Sequence, residues 1–399
     1  MKKLKIGFIG LGPRGRTLLK KVVLTMDDIE VISVCDPYEE RRNKAANHIK
    51  ELSGITPVCE TDYKKVIDNP EVEAVVIAAS WELHVEMAIY AMLAGKAVGM
   101  EVGGAYTIKE CWDLVETYEK TKTPFMFLEN CCFGRREMMA LHMVKQGLFG
   151  EIVHCSGGYH HDLREEVSSG ATKKHYRLRN YMYRNAENYP THELGPIARI
   201  LDINHGNRLV SLTSTASKAS GLHEYINQYM SDDEELKNTV FQQGDIVTTV
   251  IKCARGETIT LTLDTTLPRY YSRGFTVRGT KGMYEESTDS IFMDGEADSK
   301  FDFTWLANKH GNAEEYAEKH EHPTWKWYRE IGVRGTHDGM DWLEFRTFFD
   351  CLINKEPMPI DVYDAATWMV VTVLSEQSIA SGSAPIAFPD FTRGKWLLS

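Results

Sequence analysis

Positive charge is in short supply: 46 Lys and Arg against 57 Asp and Glu leave a formal charge of -11 over 399 residues. Affinity for nucleic acid rests on clustered Lys and Arg, so no nucleic-acid partner is expected and a small-molecule substrate is. Long apolar runs are missing too. Nothing approaches the ~20 residues of a membrane span, so no membrane partner is expected. The stretch 1–10 has basic residues but only a short apolar run and no small-residue cleavage site, which argues against a secretory signal and for a cytoplasmic protein. Eight cysteines occur without a CxxC pair, and Cys131 and Cys132 are adjacent. That spacing fits neither a zinc site nor a secreted disulfide framework. No repeat or low-complexity tract is evident. What remains, 43% hydrophobic and 26% charged residues, is an ordinary globular composition with length for two to three domains of roughly 150 residues.

The N-terminal third alternates strand and helix. An apolar strand over 4–9 runs into Gly10-Leu11-Gly12-Pro13-Arg14-Gly15 and then a helix, the context that gives a GxGxxG its meaning as a phosphate-binding turn. A second strand, 31–35, ends in Asp36, about 20 residues beyond Gly15, where a carboxylate meets a ribose 2′-hydroxyl and repels a 2′-phosphate; NAD is favoured over NADP. Further βα units carry Trp81 and His84 after the strand at 74–79, and Glu101-Val102 after the strand at 97–100. Glu129 and Asn130 end the strand at 125–128. These positions fall at the carboxyl edge, where doubly wound sheets bind ligands. The reading is an α/β chain: an N-terminal doubly wound parallel sheet of the Rossmann type over 1–130, then an α+β substrate-binding and oligomerisation domain over 131–399 with a mainly antiparallel sheet, its C-terminal helices free to pack back on the first domain.

Beyond residue 131, strand patterns at 209–216, 245–253, 258–264 and 275–278 alternate with glycine turns. The polar stretch 288–334 reads as a long loop or insertion, and Glu314, Glu315, Glu318, Lys319 and Glu321 within it as a solvated helical face. Helices are expected over 341–354, capped by Asp338, and over 361–381, capped by Asp361. In the middle lies Tyr189-Pro190-Thr191-His192-Glu193, followed by Leu194, Ile197, Ile200 and Leu201 at helical spacing. His192 thus stands at a helix start, where partial positive charge favours anionic ligands. A capped surface helix would show the same pattern; the neighbouring cofactor fingerprint favours chemistry. His160 and His161 are adjacent on a strand and point to opposite faces, so no metal site is expected.

Together these motifs resemble the Gfo/Idh/MocA oxidoreductases. In the sugar dehydrogenases of that superfamily the loop after the fourth strand usually reads Glu-Lys-Pro, and here Val102 and Gly103 replace the last two. The whole pattern is more similar to glycoside hydrolase family 109, the NAD-dependent α-N-acetylgalactosaminidases, whose resemblance covers nearly the entire chain and is most specific at Tyr189-Pro190-Thr191-His192. Glu193 stands where that family has glycine. The resemblance implies tightly held NAD contacted by Gly10, Gly12, Pro13, Arg14, Gly15, Asp36, Trp81, His84, Glu101, Val102 and Asn130. It also implies a redox-assisted elimination and addition, with C3 oxidised, C2 deprotonated and the C1 substituent lost. Tyr189 and His192 would be the catalytic pair, with Tyr159, Arg177, Arg179, Pro190, Thr191 and Tyr271 binding the sugar. Two other readings stay open, an NAD-dependent sugar dehydrogenase and a non-catalytic nucleotide-binding protein, and a homo-oligomer is expected in each.

Overall fold

The computed structural model describes residues 3–230, 233–296 and 310–398. The chain divides into two compact units, 1–134 with 327–369, and 135–326 with 370–399.

The first unit is built on six parallel strands, β1 (Leu4–Ile9), β2 (Ile29–Cys35), β3 (Val58–Glu60), β4 (Ala74–Ile77), β5 (Ala97–Glu101) and β6 (Phe125–Leu128). Their order is β3-β2-β1-β4-β5-β6. The middle strands are apolar on both faces, as a sheet covered by crossover helices on each side requires; every residue of β4, β5 and β6 is buried. The order reverses between β1 and β4, which opens a crevice at the carboxyl ends of the strands. Helix Met340–Asn354 belongs to this unit and buries Phe345, Phe348 and Phe349 completely.

The second unit holds β7 (Ile152–His160), β8 (Leu209–Ala216), β9 (Ile246–Cys253), β10 (Thr258–Asp264), β11 (Thr276–Gly279), β12 (Gly282–Glu285), β13 (Ser290–Met293) and β14 (Ile386–Ala387). They form one sheet in the order β13-β12-β11-β7-β10-β9-β8-β14. β7 and β10 are parallel and the other pairs antiparallel. β9 shows why one face is a core and the other is not: Val247, Thr249, Ile251 and Cys253 are buried while Thr248, Val250 and Lys252 alternate outward, the period-two signature of a half-covered sheet. On the buried face Leu163, Val167, Leu178, Tyr181, Ile226, Val247 and Leu263 make one apolar cluster, against which Tyr189 packs. Burying each such side chain contributes about 1.5–3 kcal/mol, so the platform beneath the tetrad is rigid.

Three expectations need correction. The stretch 288–334 is not a loop in its described part: it contains β13 and helices Ala313–His320 and Pro323–Ile331, and only 297–309 lies outside the described residues. Its acidic residues are not all solvated; Glu321 is buried and pairs with Arg135, and Glu314 pairs with Arg135 and Arg136. Asp338 does not cap helix Met340–Asn354: Gly339 occupies that position in a left-handed conformation. Asp361 does cap its helix, accepting from the N–H groups of Tyr363 (2.8 Å) and Asp364 (3.1 Å).

The glycine-rich turn leaves no room for side chains where the chain folds back on itself. A Cβ at Gly15 would lie 2.0 Å from the Gly10 carbonyl oxygen, and one at Gly10, where φ is +93°, 2.3 Å from the Ala78 oxygen. Gly15→Ala is therefore expected to lower the melting temperature by several degrees and to strip dinucleotide from the purified protein. Calorimetry together with release of nucleotide on acid precipitation checks both; a variant that melts and retains nucleotide like wild type would refute the reading.

Candidate active site and cofactor loop

In the first unit, β1 hands directly into the turn and the helix Pro13–Lys21, whose N-cap Gly12 provides no side-chain cap. Its first-turn N–H groups therefore face outward for an anion. A Cβ at Gly12 would come near only the Arg41 guanidinium, at 3.8 Å, so the backbone there can be approached closely. Asp36, at the end of β2, accepts from the N–H groups of Leu11 and Tyr38, each at 2.9 Å. A carboxylate has about four acceptor positions, so hydroxyl donors can still be taken. These features fit a dinucleotide.

Arg14 is placed by two carboxylates. Its Nε donates to Glu101 at 3.0 Å, and Nη1 and Nη2 donate to Asp341 at 2.9 and 3.0 Å. Asp341 also accepts from Asn130 (2.8 Å) and the Thr336 hydroxyl, and its Oδ2 lies 2.8 Å from His337 Nδ1. Burial works against its charge, yet the hydrogen bond to His337 and the charge of Arg14 hold its carboxyl well below the usual range. Glu101 is pushed up by burial, partly offset by Arg14. Glu344 is pushed far up by burial and by the charges of Glu101 and Asp341. Val102 is buried, and its N–H donates to Glu101 at 3.2 Å. His84 spans the carbonyls of Ala79 (3.0 Å) and Gly103 (3.1 Å), and burial lowers its pKa. Trp81 lies against Gly103 so closely that a Cβ there would be 2.1 Å from the indole nitrogen. The first-unit residues singled out in the sequence thus lie in the turn, at Asp36, around the Glu101 loop and, for Asn130, at Asp341. His337 and Asp341 flank the Asp338 position that capping alone would explain, but their tie to Arg14, 327 positions from Asp341, and the place of Glu344 beside them follow no local pattern.

In the second unit the tetrad opens helix Thr191–Ile200, with Pro190 as N-cap. Asn188 donates to Gln243, which also accepts from the Ala186 N–H at 3.2 Å, so the approach to the helix is fixed. Pro196 removes the helical donor that would otherwise meet the His192 carbonyl. The rings of Tyr159 and Tyr189 stack at 4.3 Å, and His192 stands edge-on to both, at 5.4 and 4.6 Å. The Arg177 guanidinium lies 5.2 Å from the Tyr189 ring and 6.0 Å from that of Tyr159, within cation–π range, and its Nε is 2.9 Å from Glu166. Tyr159 Oη is 3.0 Å from His161 Nδ1, and the half-exposed Tyr271 meets His161 edge-on at 5.2 Å. Burial and then the charge of Arg177 lower the His161 pKa; in the tautomer protonated on Nε2, its Nδ1 accepts the Tyr159 hydroxyl hydrogen bond. Pro190 and Thr191 are buried. Arg179 is exposed, two residues along a helix from Arg177 and hence about 200° around it.

His161 and Glu166 join the cluster without having been singled out as site residues. His161 was legible only as half of a histidine pair; Glu166 reaches Arg177 through the packing of two short helices. Glu187, two residues before Tyr189, was also missed. It is 1% exposed, its N–H donates to Ser375 Oγ and its carbonyl accepts from the Thr372 hydroxyl, both at 2.8 Å. Burial pushes its carboxyl from the ordinary 4.5 up to about 8, against backbone hydrogen bonds at Tyr189 and Leu263. The folded state therefore keeps a proton that the unfolded chain has lost. This contribution is full below about pH 4.5 and is lost as pH rises through about 8. Over that window it is worth on the order of a few kcal/mol. Urea unfolding at pH 5.5 and 8.5 should show a fall in stability that is smaller in Glu187→Gln; equal falls would exclude this group as the source.

Comparison with known proteins agrees with both halves. Residues 4–128 match the oxidoreductase family with an NAD-binding Rossmann fold, and residues 133–398 match the C-terminal domain of glycosyl hydrolase 109. A glycosyl hydrolase family 109 protein of Stenotrophomonas maltophilia (strain K279a) is 40% identical over 99% of this chain and 90% of its own length. An alpha-N-acetylgalactosaminidase of Tannerella forsythia is 38% identical over 99% of this chain and 87% of its own. Among solved structures, a levoglucosan dehydrogenase in complex with NADH superposes with a TM-score of 0.72 at 18% identity, covering 98% of this chain and all of that one. This last likeness is one of fold. The chain, an enzyme with an N-terminal NAD-binding Rossmann domain, belongs to glycoside hydrolase family 109.

Proposed function

We propose that the protein is a glycosidase that uses NAD catalytically on α-N-acetylgalactosaminides or closely related glycosides, the first unit holding the cofactor and the second the sugar. The observation that carries this reading is the packed group of Tyr159, Tyr189, His192 and Arg177, in a chain matched over 99% of its length by an alpha-N-acetylgalactosaminidase. The chemistry a bound NAD would supply is reversible removal of hydride from C3 of the sugar; the C3 hydroxyl proton would pass to a basic side chain of the site, the C2 proton would become acidic, and after loss of the C1 substituent water would add at C1 before the hydride and proton return to C3. Tyr189 and His192 handle the protons at C2 and at the leaving C1 oxygen, both being side chains that environment can bring into transfer range near neutral pH. Their rings touch, so one sugar can meet both groups. Tyr159 and Tyr271 present aromatic surface and hydroxyls to the sugar. Arg177, held by Glu166, presents donors to hydroxyl or acetamido oxygens.

A net dehydrogenase is less well supported, because the buried Val102 offers no proton where the related sugar dehydrogenases carry lysine. The outward residues of β9, with Val250 46% exposed, leave a sheet face that a symmetric second copy would cover, and we take the protein to be a homo-oligomer.

Turnover of an aryl α-N-acetylgalactosaminide in D2O should give a sugar labelled at C2, with no accumulation of NADH. Tyr189→Phe and His192→Ala should each lower kcat by about 10²–10⁴-fold while retaining NAD. Unlabelled product, or NADH formed in step with product, would overturn the reading.

A further inference from the structure

Glu193 follows the proposed catalytic histidine in sequence but serves a different part of the site. Its side chain is 1% exposed and runs across the backbone of β7: a Cβ at Gly157 would lie 2.6 Å from Glu193 Cβ and 2.8 Å from its Cγ. The carboxylate is 3.4 Å from Arg273 Nε, a charge contact rather than a short hydrogen bond. The same guanidinium meets Glu137, itself buried, at 2.5 Å through Nη2. One arginine thus answers two buried carboxylates from two helices, a geometry for which the planar five-donor guanidinium is suited and an ammonium is not.

Arg273 is in turn part of the segment that carries Tyr271. Its carbonyl accepts from the Gly158 N–H at 2.7 Å, and its N–H donates to Glu286 at 3.1 Å. Ser272 exchanges backbone hydrogen bonds with His160 at 3.0 and 3.2 Å. Residues 272 and 273 therefore lie along the end of β7, and Tyr271, next in line, is left half-exposed with its ring against His161.

We propose that Glu193 is a positioning residue that sets substrate affinity through Arg273, by fixing the segment bearing Tyr271 to the helix bearing His192. This rests on the reading of Tyr271 as a sugar contact. Glycine at 193 would leave Arg273 with Glu137 as its carboxylate partner and would vacate the space over Gly157, so the segment would be held by its backbone bonds and one ion pair fewer. Glu193 is buried against Gly157 and Arg273, so its effect belongs in KM.

The test uses the intact protein and an aryl α-N-acetylgalactosaminide. Glu193→Gln, which keeps volume and removes charge, should raise KM about tenfold with kcat within about twofold, the signature of lost uniform binding. In a Tyr271→Ala background the same substitution should add little, because contacting residues in one chain of action are non-additive. Hydrogen exchange read by mass spectrometry should be faster over 270–275 in Glu193→Gln and unchanged over 191–200. If Glu193→Gln does not fold, Arg273→Lys keeps the charge without the fork and should show the same pattern. An unchanged KM and exchange rate, or a KM penalty that persists in full without Tyr271, would overturn the proposal. Wild-type protein inert on the glycoside would instead count against the glycosidase reading, and the exchange measurement would still decide the tether.

Discussion

The shared guanidinium of Arg14 holds the cofactor half of the molecule together. Burying a carboxylate is costly unless a charge partner with good geometry answers it, and this unit buries Glu101 and Asp341 beside each other. Arg14 answers both, with its fork on Asp341 and its Nε on Glu101, and charge-assisted forked contacts are the stronger and more directional kind. The consequence is structural before it is chemical. The turn that would cradle a pyrophosphate, the end of β5 and the start of helix Met340–Asn354 are fastened to one group, and Asn130 adds the end of β6 through Asp341. A segment more than three hundred residues along the chain thus brings the first unit a carboxylate that completes the turn, alongside the apolar packing of Phe345, Phe348 and Phe349.

The second unit solves the same problem with other arginines. Arg177 lies over two tyrosines and is held by Glu166; Arg273 bridges Glu137 and Glu193. In each case the cation's direction is fixed by buried or half-buried carboxylates, Glu166 for Arg177 and the pair Glu137 and Glu193 for Arg273. Glu187 and Glu344 are the exceptions that define the rule. No side-chain donor among the described residues stands in hydrogen-bonding geometry at their carboxyl oxygens, and burial raises the pKa of each.

This division explains which parts of the protein could be read from the chain. Strand and helix alternation over 1–130, the turn at Gly10–Gly15, the acid at Asp36 and the Asp361 cap are encoded within a few residues or one βα unit, so periodicity and capping chemistry reveal them. The tetrad was legible as a helix start. The partners were not: Asp341 for Arg14, Glu166 for Arg177 and Arg135 for Glu321 are each set by complementarity across long separations. Where sequence supplied a local explanation, such as Asp338 as a cap or 288–334 as a solvated loop, the long-range ion pairs and short buried elements prevailed.

Glu193 brings these strands of argument to one residue. From sequence it is a departure from its family beside a proposed catalytic histidine, and the natural concern is an added charge near His192. On a helix, however, successive side chains diverge by about 100°, so a residue next to a catalytic group need not share its surroundings. The fold turns Glu193 toward Gly157 and Arg273 while His192 keeps its edge to Tyr159 and Tyr189. Gly157 is what makes this possible, because any side chain there would occupy the path of the Glu193 methylenes. The departure is therefore accommodated by a second position on β7. It alters what holds the wall of the site rather than which groups perform the chemistry.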